Sequence, residues 1–185
     1  MARFGAKMPA NRRLTAFAAA TDRLTAAVGR AVTWCLLVMV LVQVTVVLMR
    51  YVFGVGSIWL TEAIVYAHAT LFMAAAAWTL QRGGHVRVDI FYADATPRTR
   101  AIVDLLGALL LLLPFVGVLA WVSLPYVARS WAILERSREA SGLPLVFLLK
   151  TLIPLFALLL GLQGLAQAAR AWLTLAGNAP SEPGR

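Results

Sequence analysis

The sequence predicts an all-α integral membrane protein with four transmembrane helices, preceded by an amphipathic interfacial helix at the N-terminus. Hydrophobic residues make up 61% of the 185 residues and charged residues only 14%, which is not the composition of an ordinary soluble domain. Four runs without Asp, Glu, Lys or Arg, at 31–49, 63–81, 105–128 and 151–169, are each long enough to cross about 30 Å of hydrocarbon. These continuous Leu, Val and Ala runs are the opposite of the alternating segments of a β-barrel.

Residues 1–30 form a basic segment ahead of the first span, with six Lys and Arg and a single acid, Asp22. Four apolar residues and one threonine of this segment recur at helical spacing along one side: Leu14, Phe17, Thr21, Leu24 and Val28. Arginines and alanines line the other side, which predicts a helix lying on an anionic membrane surface. A signal peptide is not favoured, because no small-residue cleavage site follows the apolar region.

The chain is expected to divide into a basic cytoplasmic or interfacial segment at 1–30, a four-helix transmembrane domain at 31–172 and a flexible C-terminal tail at 173–185. Ser57 is the predicted N-cap of the second helix, and Thr96 with Pro97 is predicted to begin the third. The third helix is expected to continue past Trp131 towards Glu139, and the fourth to begin near Leu143.

The distribution of cations predicts the orientation of the four spans. With the N-terminus inside, twelve of the 17 Lys and Arg fall on the cytoplasmic side and five on the outside. Both termini are then cytoplasmic, as is the polar stretch from Gln81 to Tyr92 between the second and third spans.

The sequence contains no motif that indicates an enzyme. The chain has no GxxxxGK[ST] phosphate loop, and its one Cys and two separated His cannot complete a zinc site or a pair of haem ligands. We therefore expect no cofactor and no metal. Nucleic acid is not an expected partner either, because the cations lie at the ends of membrane spans.

Polar residues within the spans keep a second function class open, an independent small four-helix transporter or channel coupled to ions or protons. The candidates for a polar pathway are Gln43, Glu62, His68, Lys150, Gln163 and Gln167. Helical geometry separates Glu62 and His68 by roughly 240° around their helix, so they do not form a pair. Gln163 and Gln167 have the i, i+4 spacing of residues that hydrogen-bond to a neighbouring helix. So little polar lining favours an accessory or scaffold subunit.

Three charged residues are predicted to lie at similar depths near the outer ends of their helices: Arg50, Glu62 and Lys150. An unpaired charge at that depth costs a few kcal/mol, so Glu62 is expected to have a cationic partner. Lys150 is the first candidate and Arg50 the second.

Several segments, in this order and spacing, resemble the small membrane subunit of TRAP (tripartite ATP-independent periplasmic) transporters, the DctQ family. The segments are RYVFGVGSIWLTE, GGHVRVDIFY, PRTRAIVDLLG and GLPLVFLLKTLIPL. The resemblance covers roughly Arg50 to Trp172. Its most specific part is the stretch from Arg50 through Trp59 to Glu62, followed by His85, Arg87 and Asp89.

The resemblance implies a multi-pass protein of a bacterial inner membrane that pairs with a large DctM-like membrane subunit and a periplasmic binding protein. Such a complex takes up an organic acid with sodium, and the small subunit enlarges the immobile scaffold. The structural and interface candidates are Arg50, Trp59, Glu62, His85, Arg87, Asp89, Lys150, Gln163 and Gln167.

Overall fold

The computed structural model describes residues 9–85 and 95–177, and every regular element in these ranges is helical. The elements in chain order are α1 (Pro9–Val32), α2 (Trp34–Val52), α3 (Ile58–Gln81), α4 (Pro97–Leu106), a π-helical stretch (Gly107–Leu112), α5 (Leu113–Ala132) and α6 (Val146–Leu175). The all-α prediction is confirmed.

Four helical stretches are long and apolar enough to cross a membrane: Asn11–Val52, Ile58–Gln81, Pro97–Ala132 and Val146–Leu175. Each contains one of the four apolar runs of the sequence, so the four-span prediction is confirmed. The first stretch joins α1 to α2, which are separated only by Thr33.

Helix α6 is the centre of the bundle and packs against α1, α3, α4 and α5. Its second half is rich in small residues that allow close approach, and its buried residues include Ala157, Gly164, Ala166, Ala168, Ala169 and Ala171. A cluster of Val116, Ala157 and Leu160 forms the apolar contact between α5 and α6. Helix α2 packs mainly against α3 and has no buried residue.

The N-terminal helix exists as predicted, but it buries a different face from the one that the spacing of larger apolar residues indicated. Ala18, Thr21, Thr25 and Gly29 are buried, whereas Phe17 and Leu24 are 39% and 46% exposed. The buried face is rotated by roughly 60° from the predicted apolar side. The reason is that α1 packs against α3 and α6 through small side chains, and Gly29 lies directly against the indole of Trp78.

Both predicted helix starts are confirmed. The hydroxyl of Ser57 accepts a hydrogen bond from the backbone N–H of Leu60 at 3.4 Å, and that of Thr96 accepts one from Thr99 at 3.2 Å. Pro97 occupies the first turn of α4, where its missing N–H has no helical partner to lose.

The connection between the third and fourth spans differs from the prediction. Helix α5 ends at Ala132 rather than continuing towards Glu139, and α6 begins at Val146 rather than near Leu143. The backbone N–H of Glu135 donates to the carbonyl of Ser130, and that of Leu134 donates to the carbonyl of Trp131. This is a Schellman motif, and Leu134 stands at its left-handed position with φ 46°. The chain therefore leaves the helix before Glu135 and the charged residues that follow it.

The same motif ends α3, with a residue suited to it. Gly83 has φ 65°, its N–H donates to Leu80, and the N–H of Gly84 donates to Thr79. Glycine adopts this conformation without the steric strain that a Cβ brings. Among the described residues, Leu134 is the one non-glycine with positive φ.

The π-helical stretch in the third span was not predicted from the sequence. Leu113 donates its N–H to the carbonyl of Ala108, five residues back, immediately before Pro114. Proline has no N–H and its ring interferes with the preceding turn, so a widened turn is a common local solution.

Candidate functional sites at the two ends of the helix bundle

One polar cluster joins α1, α3 and α6, and we call its five residues, Asp22, Thr25, Gln81, Gln163 and Arg170, the Asp22 cluster. The Arg170 guanidinium donates to both carboxylate oxygens of Asp22, at 2.9 and 3.1 Å. The side-chain amide of Gln163 donates to the same carboxylate at 3.0 Å. Asp22 on α1 is thus held by two residues of α6.

The Thr25 hydroxyl and the Gln81 amide extend this cluster to α3. The hydroxyl lies 3.1 Å from the side-chain oxygen of Gln163 and 3.3 Å from that of Gln81. The Gln81 amide nitrogen donates to the backbone carbonyl of Asp22 at 3.2 Å. One connected set of hydrogen bonds therefore fixes three helices relative to one another.

Burial decides which part of the Asp22 cluster carries its stability. Gln163 and Thr25 are 0% and 1% exposed, whereas the Arg170 and Asp22 side chains retain 36% and 30% exposure. An exposed ion pair contributes at most about 1 kcal/mol. A buried amide that loses its partners costs roughly 1–3 kcal/mol. Gln163 is therefore the energetically central residue.

A second cluster lies at the other end of α3, and we call its residues, Glu62, Ser137, Gly142 and Leu143, the Glu62 cluster. One carboxylate oxygen of Glu62 accepts a short hydrogen bond from the Ser137 hydroxyl. The other oxygen accepts the backbone N–H of Leu143 at 2.6 Å. Ser137 and Leu143 are also joined through their backbones at 3.2 Å. Glu62 thereby ties the α5–α6 connection to α3.

Gly142 is required by this close packing. A Cβ at this position would overlap the side chain of Ser137 and would lie 2.8 Å from a carboxylate oxygen of Glu62. Any larger residue must displace one of the two hydrogen-bonding partners.

A third set of contacts, the Lys150 cluster of Tyr126, Ser130, Glu135 and Lys150, connects α5 to α6 beside the Glu62 cluster. Lys150 forms an ion pair with Glu135, and its ammonium group lies 4.1 Å from the centre of the Tyr126 ring. The Ser130 hydroxyl donates to the same Glu135 oxygen at 2.7 Å. Hydrogen bonds from Lys150 and then from Ser130 lower the pKa of Glu135 from its usual range.

The predicted pair of Glu62 with Lys150 is wrong, and so is the second choice of Arg50 as the partner. Lys150 pairs with Glu135, and Glu62 is satisfied by a hydroxyl and a backbone N–H. Arg50 is exposed in the last turn of α2 and has no ion pair with the described residues. The physical reason is the early end of α5, which turns Glu135 back towards α6 instead of extending it away.

The remaining described candidates lie on α3, just after α3 and on α6. Trp59 is 51% exposed in the first turn of α3, and His85 is exposed just after that helix. Arg87 and Asp89 lie outside the described residues. Gln167 is half-buried and forms no hydrogen bond with the described part of the chain, so only Gln163 of the two glutamines has the predicted interhelical bonds.

The two ends of the bundle are about a membrane thickness apart. At about 1.5 Å per residue, α3 places Glu62 and Gln81 roughly 28 Å apart, close to the thickness of a hydrocarbon core. Between these ends, a groove of about 610 Å³ lies between α5 and α6 and is lined by apolar residues apart from Thr151. The described residues contain no group of three or more His, Cys, Asp or Glu that could hold a metal ion.

Comparison with protein families matches residues 36–174 to the DctQ component of the tripartite ATP-independent periplasmic transporters. The chain belongs to the DctQ family. It is therefore a small membrane component of a TRAP transporter, a family of transport components rather than of enzymes. With its four spans, membership indicates a multi-pass protein of the inner membrane. Neither the comparison with curated proteins nor that with solved structures gives a match.

The DctQ match divides the Asp22 cluster. Gln81, Gln163 and Arg170 lie inside the matched region, and Asp22 and Thr25 lie before it on α1. Sequence reasoning identified Gln163 but missed Asp22, although Asp22 is the one acid among the first 30 residues. That isolated acid in a basic segment was the available signal. Glu135 and Ser137 gave no comparable signal, because their roles depend on how α5 ends.

Proposed function

We propose that this chain is the small permease subunit of a TRAP-type secondary transporter that takes up an organic acid with sodium. In this proposal it pairs with a large DctM-like membrane subunit and a periplasmic binding protein. The family match over residues 36–174, together with four helices able to span the membrane, carries the proposal.

The role of this subunit in the complex is that of a rigid scaffold. Support comes from the Asp22 cluster, which joins three helices, and from the Glu62 cluster, which fixes the α5–α6 connection. Polar groups at both ends of the bundle are used in mutual hydrogen bonds, which is the arrangement expected of a fixed support. The large subunit then supplies the moving parts and the substrate site.

The orientation is part of the same proposal. Both termini and the Asp22 cluster lie on the cytoplasmic side, and the Glu62 and Lys150 clusters lie on the periplasmic side. The excess of Lys and Arg at 1–30, 82–100 and 170–185, twelve of the 17, supports this assignment. In this proposal residues 1–30 are a basic cytoplasmic or interfacial segment and 31–172 the transmembrane domain. The proposed tail, 173–185, includes the last three residues of α6, which ends at Leu175.

Uptake by reconstituted components tests the proposal. Proteoliposomes with both membrane subunits and the binding protein are expected to accumulate an organic acid only under an inward sodium gradient. Liposomes with this chain alone are the control and are expected to accumulate none. Sodium- or proton-driven uptake by the chain alone would reject the scaffold function and support the independent transporter.

Reporter fusions test the orientation. Fusions after Gly84 and Arg185 are expected to report cytoplasm, and a periplasmic signal at Arg185 would reject the orientation.

A further inference from the structure

Two polar side chains point outward from the membrane-spanning part of the chain with no partner of their own. Gln43 on α2 and His68 on α3 are both exposed and form no hydrogen bond within the described residues. The exposed threonines nearby are different, because Thr45 donates to the carbonyl of Leu41 and Thr61 to that of Ser57.

Both residues lie well inside the span, on two helices that pack against each other. Gln43 is about 10 Å along α2 from Arg50, and His68 is about 9 Å along α3 from Glu62. Arg50 and Glu62 mark the same end of the bundle, because α2 ends where α3 begins. An amide and an imidazole at this depth are in hydrocarbon if lipid surrounds them, where an unpaired polar group is strongly unfavourable.

The outward face of α5 provides the contrast. Together with Leu111 of the preceding π-helical turn, this face exposes hydrophobic side chains: Leu111, Phe115, Val118 and Val122 are 56% to 73% exposed and Trp121 is 82% exposed. Lipid tails satisfy the aliphatic and phenyl side chains of this surface. Lipid does not satisfy the α2–α3 surface, since Gln43 and His68 require hydrogen-bonding groups.

We propose that the α2–α3 surface carrying Gln43 and His68 is where the large membrane subunit packs, through a transmembrane helix whose side chains hydrogen-bond to both residues. This inference rests on the proposed function, because it assigns the contact surface for the partner named there. Helix α2 suits the role because it packs mainly against α3 and has no buried residue within this chain. A partner helix buries its remaining apolar side chains and satisfies the two polar groups together.

Photocrosslinking in the assembled complex tests the surface directly, with two matched positions. Phe72, which stacks beside His68 on α3, and Phe115 on α5 are both exposed phenylalanines, at 70% and 56%. Each is replaced in turn by p-benzoylphenylalanine, which keeps the ring and adds a photoreactive group. The expected result is a crosslink to the large subunit from position 72 and none from position 115.

Co-purification supplies an independent readout. Gln43→Leu and His68→Phe are each expected to lower the recovered large subunit roughly three-fold, and together about eight-fold, while Phe115→Leu and Val122→Leu change nothing. A crosslink from position 115 but not 72, a crosslink from 72 to a second copy of this chain, or full recovery with the double variant would each overturn the assigned surface. If the unaltered chain recovers no large subunit at all, the proposed function itself fails.

Discussion

The Asp22 cluster and the Glu62 cluster lie at opposite ends of α3 and stabilise different parts of the structure. The Asp22 cluster joins the side chains of three helices that are far apart in sequence, through a buried amide and a half-exposed ion pair. The Glu62 cluster joins one helix to the backbone of a connecting segment. The first therefore determines how the helices pack, and the second determines the shape of one loop. Substitutions in the two clusters should therefore differ both in how much stability they remove and in how much of the bundle they loosen.

The largest effect is expected at the buried amide of the Asp22 cluster. Gln163→Leu removes the bonds to Asp22 and Thr25 and should lower the free energy of unfolding by roughly 1–3 kcal/mol. Gln167→Leu, one turn further along α6, is the matched control and should have little effect. Unfolding of the purified chain by titration with a denaturing detergent gives both values. Equal losses from the two variants would show that the hydrogen bonds of Gln163 are not what holds the helices.

At the other end of α3, Glu62→Ala should loosen only the α5–α6 connection. The amide of Leu143 loses its acceptor, so its hydrogen exchange should accelerate by about ten-fold, the equivalent of roughly 1.4 kcal/mol in local opening. Exchange in the second half of α6 should remain unchanged. Acceleration throughout α6 would mean that the two ends of the bundle are not independent.

Double-mutant cycles can test which acid pairs with Lys150. Lys150→Met and Glu135→Gln should be coupled, because each removes the partner of the other. Lys150→Met and Glu62→Gln should be additive. Thermal stability of the two single and the double variants gives each coupling, and coupling of Lys150 to Glu62 would restore the pairing expected from the sequence.

Acidification should cause a smaller loss of stability through the ion pair of Glu135 with Lys150. Because the pKa of Glu135 is lower in the folded chain, its ion pair contributes stability above the pKa of the unfolded state, about 4.3. That contribution is lost as the pH falls through the lowered, folded pKa. Glu135→Gln should therefore abolish part of the stability loss seen on acidification below pH of about 4, and an unchanged acid profile would contradict the assignment.

The smallest expected effect is an increase in stability. Leu134→Gly places glycine at the left-handed position that ends α5, where glycine avoids a strain of about 1 kcal/mol. Gly83→Ala, at the equivalent position of α3, should have the opposite sign. A melting temperature that falls for both variants would show that the Leu134 side chain matters more than its backbone conformation.

The fold was predictable because long apolar runs and N-cap residues act locally. The four spans, Ser57 and Thr96 could each be recognised within one stretch of sequence. The clusters were less predictable because their partners are distant in sequence, as Asp22 and Arg170 are. The pairing of Lys150 depended on Leu134, a leucine in a conformation that sequence pattern assigns to glycine. The buried face of α1 was misjudged because small residues, rather than large apolar ones, pack against α6.

The scaffold role is tested most directly by distances measured within this chain during transport. Spin labels on the exposed residues Thr15 and Trp172 report on the Asp22 end, and labels on Thr61 and Arg138 report on the Glu62 end. In the reconstituted complex, pulsed electron paramagnetic resonance should give the same two distance distributions with and without sodium, substrate and binding protein. A shift of several ångströms in the distance between Thr15 and Trp172 would show that this bundle moves during transport, and would contradict the role of a fixed scaffold.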